Sequence, residues 1–178
     1  AGVSASLAGI FTNKKGRPTF GIDYKIVARD TARFARFVGV PLPISAARLG
    51  KVSSNGHVDA TLEGLKANLH VKALGVNTNI NGSIRNLMIE PQLDLTVNVK
   101  HPNLTKLVRK FAPNYLPAAK KLGPLNASFR VKGTGQTMGL SDIDVKAGPV
   151  AVFGTINANR PTGKTKLEFP HFGVSIFN

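Results

Sequence analysis

Pro18-Thr19-Phe20-Gly21-Ile22-Asp23-Tyr24-Lys25-Ile26 and Pro91-Gln92-Leu93-Asp94-Leu95-Thr96-Val97-Asn98-Val99 decide how this chain folds. Each stretch opens on a proline and then places an apolar residue at every second position. A period of two is the signature of a β-strand with one face in water and one that needs cover. The two prolines stand 73 positions apart (91 − 18). At that offset Phe20, Ile22, Tyr24 and Ile26 fall on Leu93, Leu95, Val97 and Val99.

The offset recurs on both sides. Val3, Leu7, Gly9 and Phe11 fall on Val76, Ile80, Gly82 and Ile84, and Leu49, Gly50, Val52 and Val58 fall on Leu122, Gly123, Leu125 and Val131. A slip of one then brings Leu69, Val71 and Ala73 onto Ile143, Val145 and Ala147. After a shortened turn, Ile80, Gly82 and Ile84 meet Val152, Gly154 and Ile156. A fixed internal period marks a repeat architecture. One full unit predicts four strands, near 51–62, 64–74, 76–86 and 90–100, separated by Gly, Asn and Pro turn signals. Near Pro170 the alternation changes phase, from Leu167 and Phe169 to Phe172, Val174 and Ile176, which predicts a bulge or bend.

A short basic helix is expected after the fourth strand. Asn103 can cap it, and Leu104, Leu107, Val108 and Phe111 form one apolar stripe over 103–111. Its counterpart is expected over 30–38, capped by Asp30 and striped by Phe34, Phe37 and Val38. Prolines close both, at Pro41 and Pro43 and at Pro113 and Pro117. Helices of two or three turns are marginal alone and are expected to dock on the sheet. The predicted fold class is mainly β with short helices (α+β), in tandem repeats of about 73 residues, four antiparallel strands and a helix in each. The whole chain reads as one repeat domain: 1–48 ends one repeat, 49–121 is a full repeat, and 122–178 starts another. It therefore reads as a segment of a longer, processed or excised chain.

Following the phase strand by strand collects Phe20, Ile22, Tyr24, Ile26, Val58, Leu69, Val71, Ile80, Leu93, Leu95, Val97, Val99, Phe129, Val131, Ile143 and Val145 on one face. Asp23, Lys25, His57, Asp59, Asn68, His70, Asn79, Asn98 and Arg130 fall on the other. Two short helices cannot hide so large an apolar surface. Two walls can close on it as a dry sandwich, the arrangement that close packing favours by default. They can instead face each other across an open trough that holds apolar ligands. A barrel with this face turned to lipid fits least, since such barrels carry aromatic girdles and this chain has no Trp and two Tyr.

The apolar share, 42% of 178 residues, is that of a folded domain, and no run reaches the length of about 18 apolar residues that a membrane-crossing helix needs. The absence of cysteine excludes disulfides and thiolate chemistry. The formal charge of +15, from 24 Lys and Arg against 9 Asp and Glu, attracts anionic lipid, nucleic acid or acidic protein. Phe20 and Tyr24 alternate with Lys25 across the strand, so bases could not stack beside the cations, which argues against nucleic acid. Gly163-Lys164-Thr165 lacks the earlier glycine and the following helix of a phosphate loop, and Gly133-Thr134-Gly135 reads as a hairpin turn. His57, His70, His101 and His171 are scattered and read as surface residues, and Asp142 and Asp144 as solvated carboxylates. No catalytic constellation, metal set or cofactor motif emerges, so no enzyme is expected. A helix with an apolar stripe flanked by Arg33 and Arg36, or by Lys106, Arg109 and Lys110, suits an anionic membrane surface.

Phe34-Ala35-Arg36-Phe37-Val38-Gly39-Val40-Pro41-Leu42-Pro43, then Leu49-Gly50-Lys51-Val52, then Leu65 to Leu74, then Ile80-Asn81-Gly82-Ser83-Ile84 and the strand led by Pro91, follow one another in a characteristic order. A small helix, a G-x-P-x-P exit, L-G-x-apolar and a G-x-apolar strand before a proline-led strand resemble the recurring unit of the AsmA-like bacterial envelope proteins, to which TamB is related. The resemblance covers most of the chain. It implies a long, curved, groove-forming sheet in the periplasm, tethered to the inner membrane by an N-terminal helix. It also implies the movement of phospholipid toward the outer membrane in outer-membrane biogenesis, with envelope proteins as possible partners and no cofactor. On that reading the sixteen apolar residues line a lipid groove. Arg33, Arg36, Lys106, Arg109 and Lys110 would meet anionic headgroups. A closed-core structural or adhesive β-repeat, or a basic nucleic-acid binder, are the alternatives left by the residues themselves.

Overall fold

The computed structural model describes residues 2–14, 16–29, 50–112, 114, 122–134, 136–159 and 165–177. Ten strands make up almost all of it: β1 (Val3–Lys14), β2 (Arg17–Ala28), β3 (Val52–Thr61), β4 (Gly64–Ala73), β5 (Val76–Arg85), β6 (Gln92–His101), β7 (Leu125–Gly133), β8 (Thr137–Ala147), β9 (Val150–Asn159) and β10 (Lys166–Ile176). They lie side by side in chain order in a single antiparallel sheet. The sheet is open, with β1 and β10 at its two edges. The four strands expected near 51–62, 64–74, 76–86 and 90–100 are β3 to β6, within two residues at every end. The helix expected over 30–38 lies outside the described residues.

Register carries the alternation from strand to strand, because residues directly opposite in an antiparallel pair share a face. Phe11 faces Phe20, Ile22 faces Val58, Leu69 faces Ile80, Ile80 faces Val97 and Val97 faces Phe129. Two bulges keep that phase where the sequence slips. One lies between Leu140 and Ile143, where Asp142 takes a φ of 52°. The extra residue there lets Leu140 face Ile156 and Ile143 still face Gly154. The other lies between Glu168 and His171, at the predicted phase change around Pro170, and returns Phe172 and Val174 to the side of Gly154 and Val152. Between β7 and β8 the Thr134 amide donates to the Thr137 carbonyl at 2.6 Å, and Gly135 of the expected hairpin turn lies outside the described residues.

Helix α1 (Leu104–Phe111) follows β6, and Asn103 is its cap, its side chain accepting from the Lys106 amide at 3.0 Å. The expectation that it docks across the sheet is corrected. All broad packing between described elements is between neighbouring strands. The helix is instead held by its first turn: the Leu104 amide donates to the Gly123 carbonyl at 2.8 Å, and the Leu122 amide donates to Thr105 Oγ1 at 2.9 Å. His101, expected at the surface, is instead buried beneath this junction, accepting from the Asn103 amide at Nδ1 and donating from Nε2 to the Leu74 carbonyl. The chain leaves the sheet at the end of β6, and α1 makes no broad contact with any described strand.

The dry sandwich that close packing favoured is not formed by the described residues. Among the described residues no strand faces another across the apolar side, and the buried apolar residues are Ala28 and Ala151 alone. A single layer has no second layer to bury its large side chains against, so they pack sideways on their cross-strand neighbours and stay partly wet.

Candidate functional site

The apolar face is the site that the fold builds. All sixteen residues predicted to line it lie on the same side of the sheet, in cross-strand rows that run from β2 to β8. Ten strands spaced by about 4.8 Å, each roughly 30 Å long, give this face an extent of about 1,300 Å². The largest apolar patch on an ordinary monomer is about 300–600 Å². Exposure is greatest toward the edges, at 73% for both Leu7 and Ile176, while Val97, Val99 and Phe129 in the central strands are half-buried by their neighbours.

Polar interruptions of this face are few. Tyr24 turns its hydroxyl to Ser54 Oγ at 2.9 Å, which satisfies both groups without putting a charge on the surface. Phe11 and Phe20 stack at a tilt with their rings 4.9 Å apart. Gly82 faces Leu95 there, and its partner strand comes so close that a Cβ would lie 2.1 Å from the Asp94 carbonyl oxygen. Among the described residues in these cross-strand rows the face carries no Asp, Glu, Lys or Arg.

The opposite face holds the ionic groups. Arg130 grips Asp94 through two hydrogen bonds of 2.7 Å, and Lys132 stands 3.8 Å from the same carboxylate. These cations hold the Asp94 carboxyl below its ordinary range, the Arg130 hydrogen bonds being the largest cause. His57 sits between two carboxylates, with Nδ1 2.8 Å from Asp23 and Nε2 3.1 Å from Asp59. Both ring nitrogens can donate at once only in the imidazolium form, so Asp23 first and Asp59 second raise the His57 pKa above 6.5.

A group whose pKa is raised by folding contributes stability that is complete below its unfolded value and is lost as pH rises through the folded one. The His57 imidazole is therefore expected to titrate above 6.5 by NMR. Asp23→Asn should lower that midpoint more than Asp59→Asn. Urea midpoints measured from pH 5.5 to 8.5 should fall for the native chain and stay flatter for His57→Gln. A midpoint unmoved by either aspartate change would remove the bridge.

His57 and His70, both expected on the polar face, occupy adjacent strands there, and each takes other partners: His57 the two aspartates, His70 the side chain of Asn79. Among the described residues no group of His, Asp and Glu is arranged to hold a metal ion. The Asp23–His57–Asp59 bridge is not legible in the sequence. Asp59 stands two residues from His57, but Asp23 reaches it only through the β2–β3 register. Of the predicted cationic residues, Lys106, Arg109 and Lys110 are exposed on α1, and Arg33 and Arg36 lie outside the described residues.

No family model, no curated protein and no solved structure matches this chain. The residues and their geometry carry the functional reading alone.

Proposed function

We propose that this chain is a segment of an AsmA-like periplasmic protein that binds phospholipid on its apolar sheet face and passes it along for outer-membrane biogenesis. The observation that carries this reading is the continuous apolar face of ten strands, which no described element covers. Water against so much hydrocarbon is unfavourable, at about 25 cal/mol for each Å². Acyl chains remove that cost without directional contacts, and they can slide along a face that carries no charge to stop them. On this reading the repeat of about 73 residues adds four strands and one helix at a time, so that successive units extend one trough. The Lys106, Arg109 and Lys110 side chains would meet the headgroups, and an N-terminal tether in the intact protein would hold the sheet to the inner membrane.

Transport in this scheme is passive. The sheet supplies a surface, and no residue makes or breaks a bond. Nucleic acid is disfavoured because the sheet itself separates the aromatic residues Phe20 and Tyr24 from Lys25. Native mass spectrometry of gently purified protein is expected to find phospholipid bound, and a fluorescent acyl probe delivered from vesicles should be taken up. Protein free of lipid that also fails to take up the probe would sink the proposal.

A further inference from the structure

Charge is sorted along the strands as well as across the sheet. On the polar side, Lys72 faces Asn77, Asn77 faces Lys100, Lys100 faces Asn126 and Asn126 faces Lys146. The register thus sets one exposed lysine on every second strand in a single transverse row, at intervals of about 10 Å. The row lies at the end of the sheet where β4, β6 and β8 finish, and where β6 passes into α1 with its Lys106, Arg109 and Lys110. Lys146 has Asp144 at 3.7 Å, whereas Lys72 and Lys100 make no ion pair with a described residue. The carboxylates Asp59, Glu63, Glu90 and Asp94 gather toward the other end, in the last residues of β3, the first of β6 and the turns beside them.

We infer that this end of the sheet docks on an anionic phospholipid bilayer, with the Lys72–Lys100–Lys146 row and helix α1 against the headgroups and the strands rising from the surface. Cations near such a surface each strengthen attachment, and the row, whose one ion pair is Lys146 with Asp144, still presents net positive charge to one plane. Phe111, 45% exposed beside Arg109 and Lys110, adds an apolar contact of the kind that settles at a headgroup boundary. A bilayer fits this end better than nucleic acid does, because the exposed aromatics nearest the row, Phe111 on α1 and Phe153 opposite Asp144 with its ring over Gly173, are not interleaved with the three strand lysines. The docking rests on the lysine row and on α1 with its Phe111, and not on the function proposed above. Its purpose, presenting the open end of the apolar face to the hydrocarbon, rests on the function proposed above.

The test compares Lys72→Gln/Lys100→Gln/Lys146→Gln with Lys66→Gln/Lys132→Gln/Lys166→Gln, which removes the same charge from the far end. Flotation is run with vesicles of phosphatidylcholine alone and with about 30% phosphatidylglycerol, where the first triple should lose about a hundredfold in affinity and the second only a few-fold. Native binding should require the anionic lipid and fade with salt. Equal losses in the two triples, or none in the first at an unchanged urea midpoint, would overturn the inference. So would an oligonucleotide bound more tightly than the anionic vesicles. Acyl-probe uptake from neutral detergent micelles separates the two readings. Uptake without docking removes only this inference, and docking without uptake removes only the lipid-conducting function.

Discussion

Changing Val97 and Val99 together to aspartate is expected to abolish acyl-probe uptake while leaving a folded β-sheet. The two valines stand in the middle of the apolar face, Val97 between Ile80 and Phe129, and Val99 between Thr78 and Ala127. Both are half-buried by those neighbours, and no described element covers them from above. A carboxylate there keeps most of its water, so each change should cost only the lost side-chain packing, about 1–2 kcal/mol. An acyl chain crossing the same spot would have to strip the water from two charges, at a cost of several kcal/mol each, and binding should fall below detection. Circular dichroism and a urea titration read the fold, and the probe reads the site. A variant that unfolds would show that the face is covered in solution, since two unpaired buried charges exceed the stability of an ordinary domain. A folded variant that still takes up the probe would place the lipid elsewhere.

The second large effect concerns the ladder. Gly82→Ala is expected to destabilise the sheet by about 3 kcal/mol, through overpacking and loss of local β5–β6 pairing. Its added Cβ would meet the Asp94 carbonyl oxygen at 2.1 Å and the Leu95 Cα at 2.7 Å, both backbone atoms that can yield only if the strands part. Gly154 meets the same obstacle, with the His171 carbonyl oxygen at 2.1 Å and the Phe172 Cα at 2.8 Å. These two glycines correspond in the internal repeat read from the sequence. Matching losses in urea midpoint at the two positions are expected if the units are built alike. Gly2→Ala, with nothing within 4 Å, serves as the control and should lie within about 0.5 kcal/mol of the native chain. A neutral Gly82→Ala would mean that the strands are not as close as the register places them.

The Asp94–Arg130 pair illustrates a different dependence. Its carboxyl is held low by folding, so its contribution is complete above the unfolded value and is lost as pH falls through the folded one. His57 acts in the opposite sense, losing its contribution as pH rises. Both lie on the water face, where screening keeps each effect small. Neither can substitute for cover on the apolar side.

The sequence by itself determined the strands, their sidedness and the capped helix. Alternation through Phe20–Ile26 and Leu93–Val99 is a local property, legible wherever one face must avoid water. The phase change at Pro170 announced a bulge for the same reason, and Asn103 announced the start of α1 because a cap acts within a few residues of itself. Pairing across the chain was less legible. The bridge from Asp23 to His57 and the lysine row through Lys72, Lys100 and Lys146 exist only once each register is set, and register is a relation between segments. What the tertiary structure alone decided was whether the apolar face closes on itself. A period of two states that one side needs cover but not what supplies it, since a second wall, a lipid and another chain all satisfy the same pattern. The ten strands pair only with their neighbours in sequence, so the face stays open among the described residues.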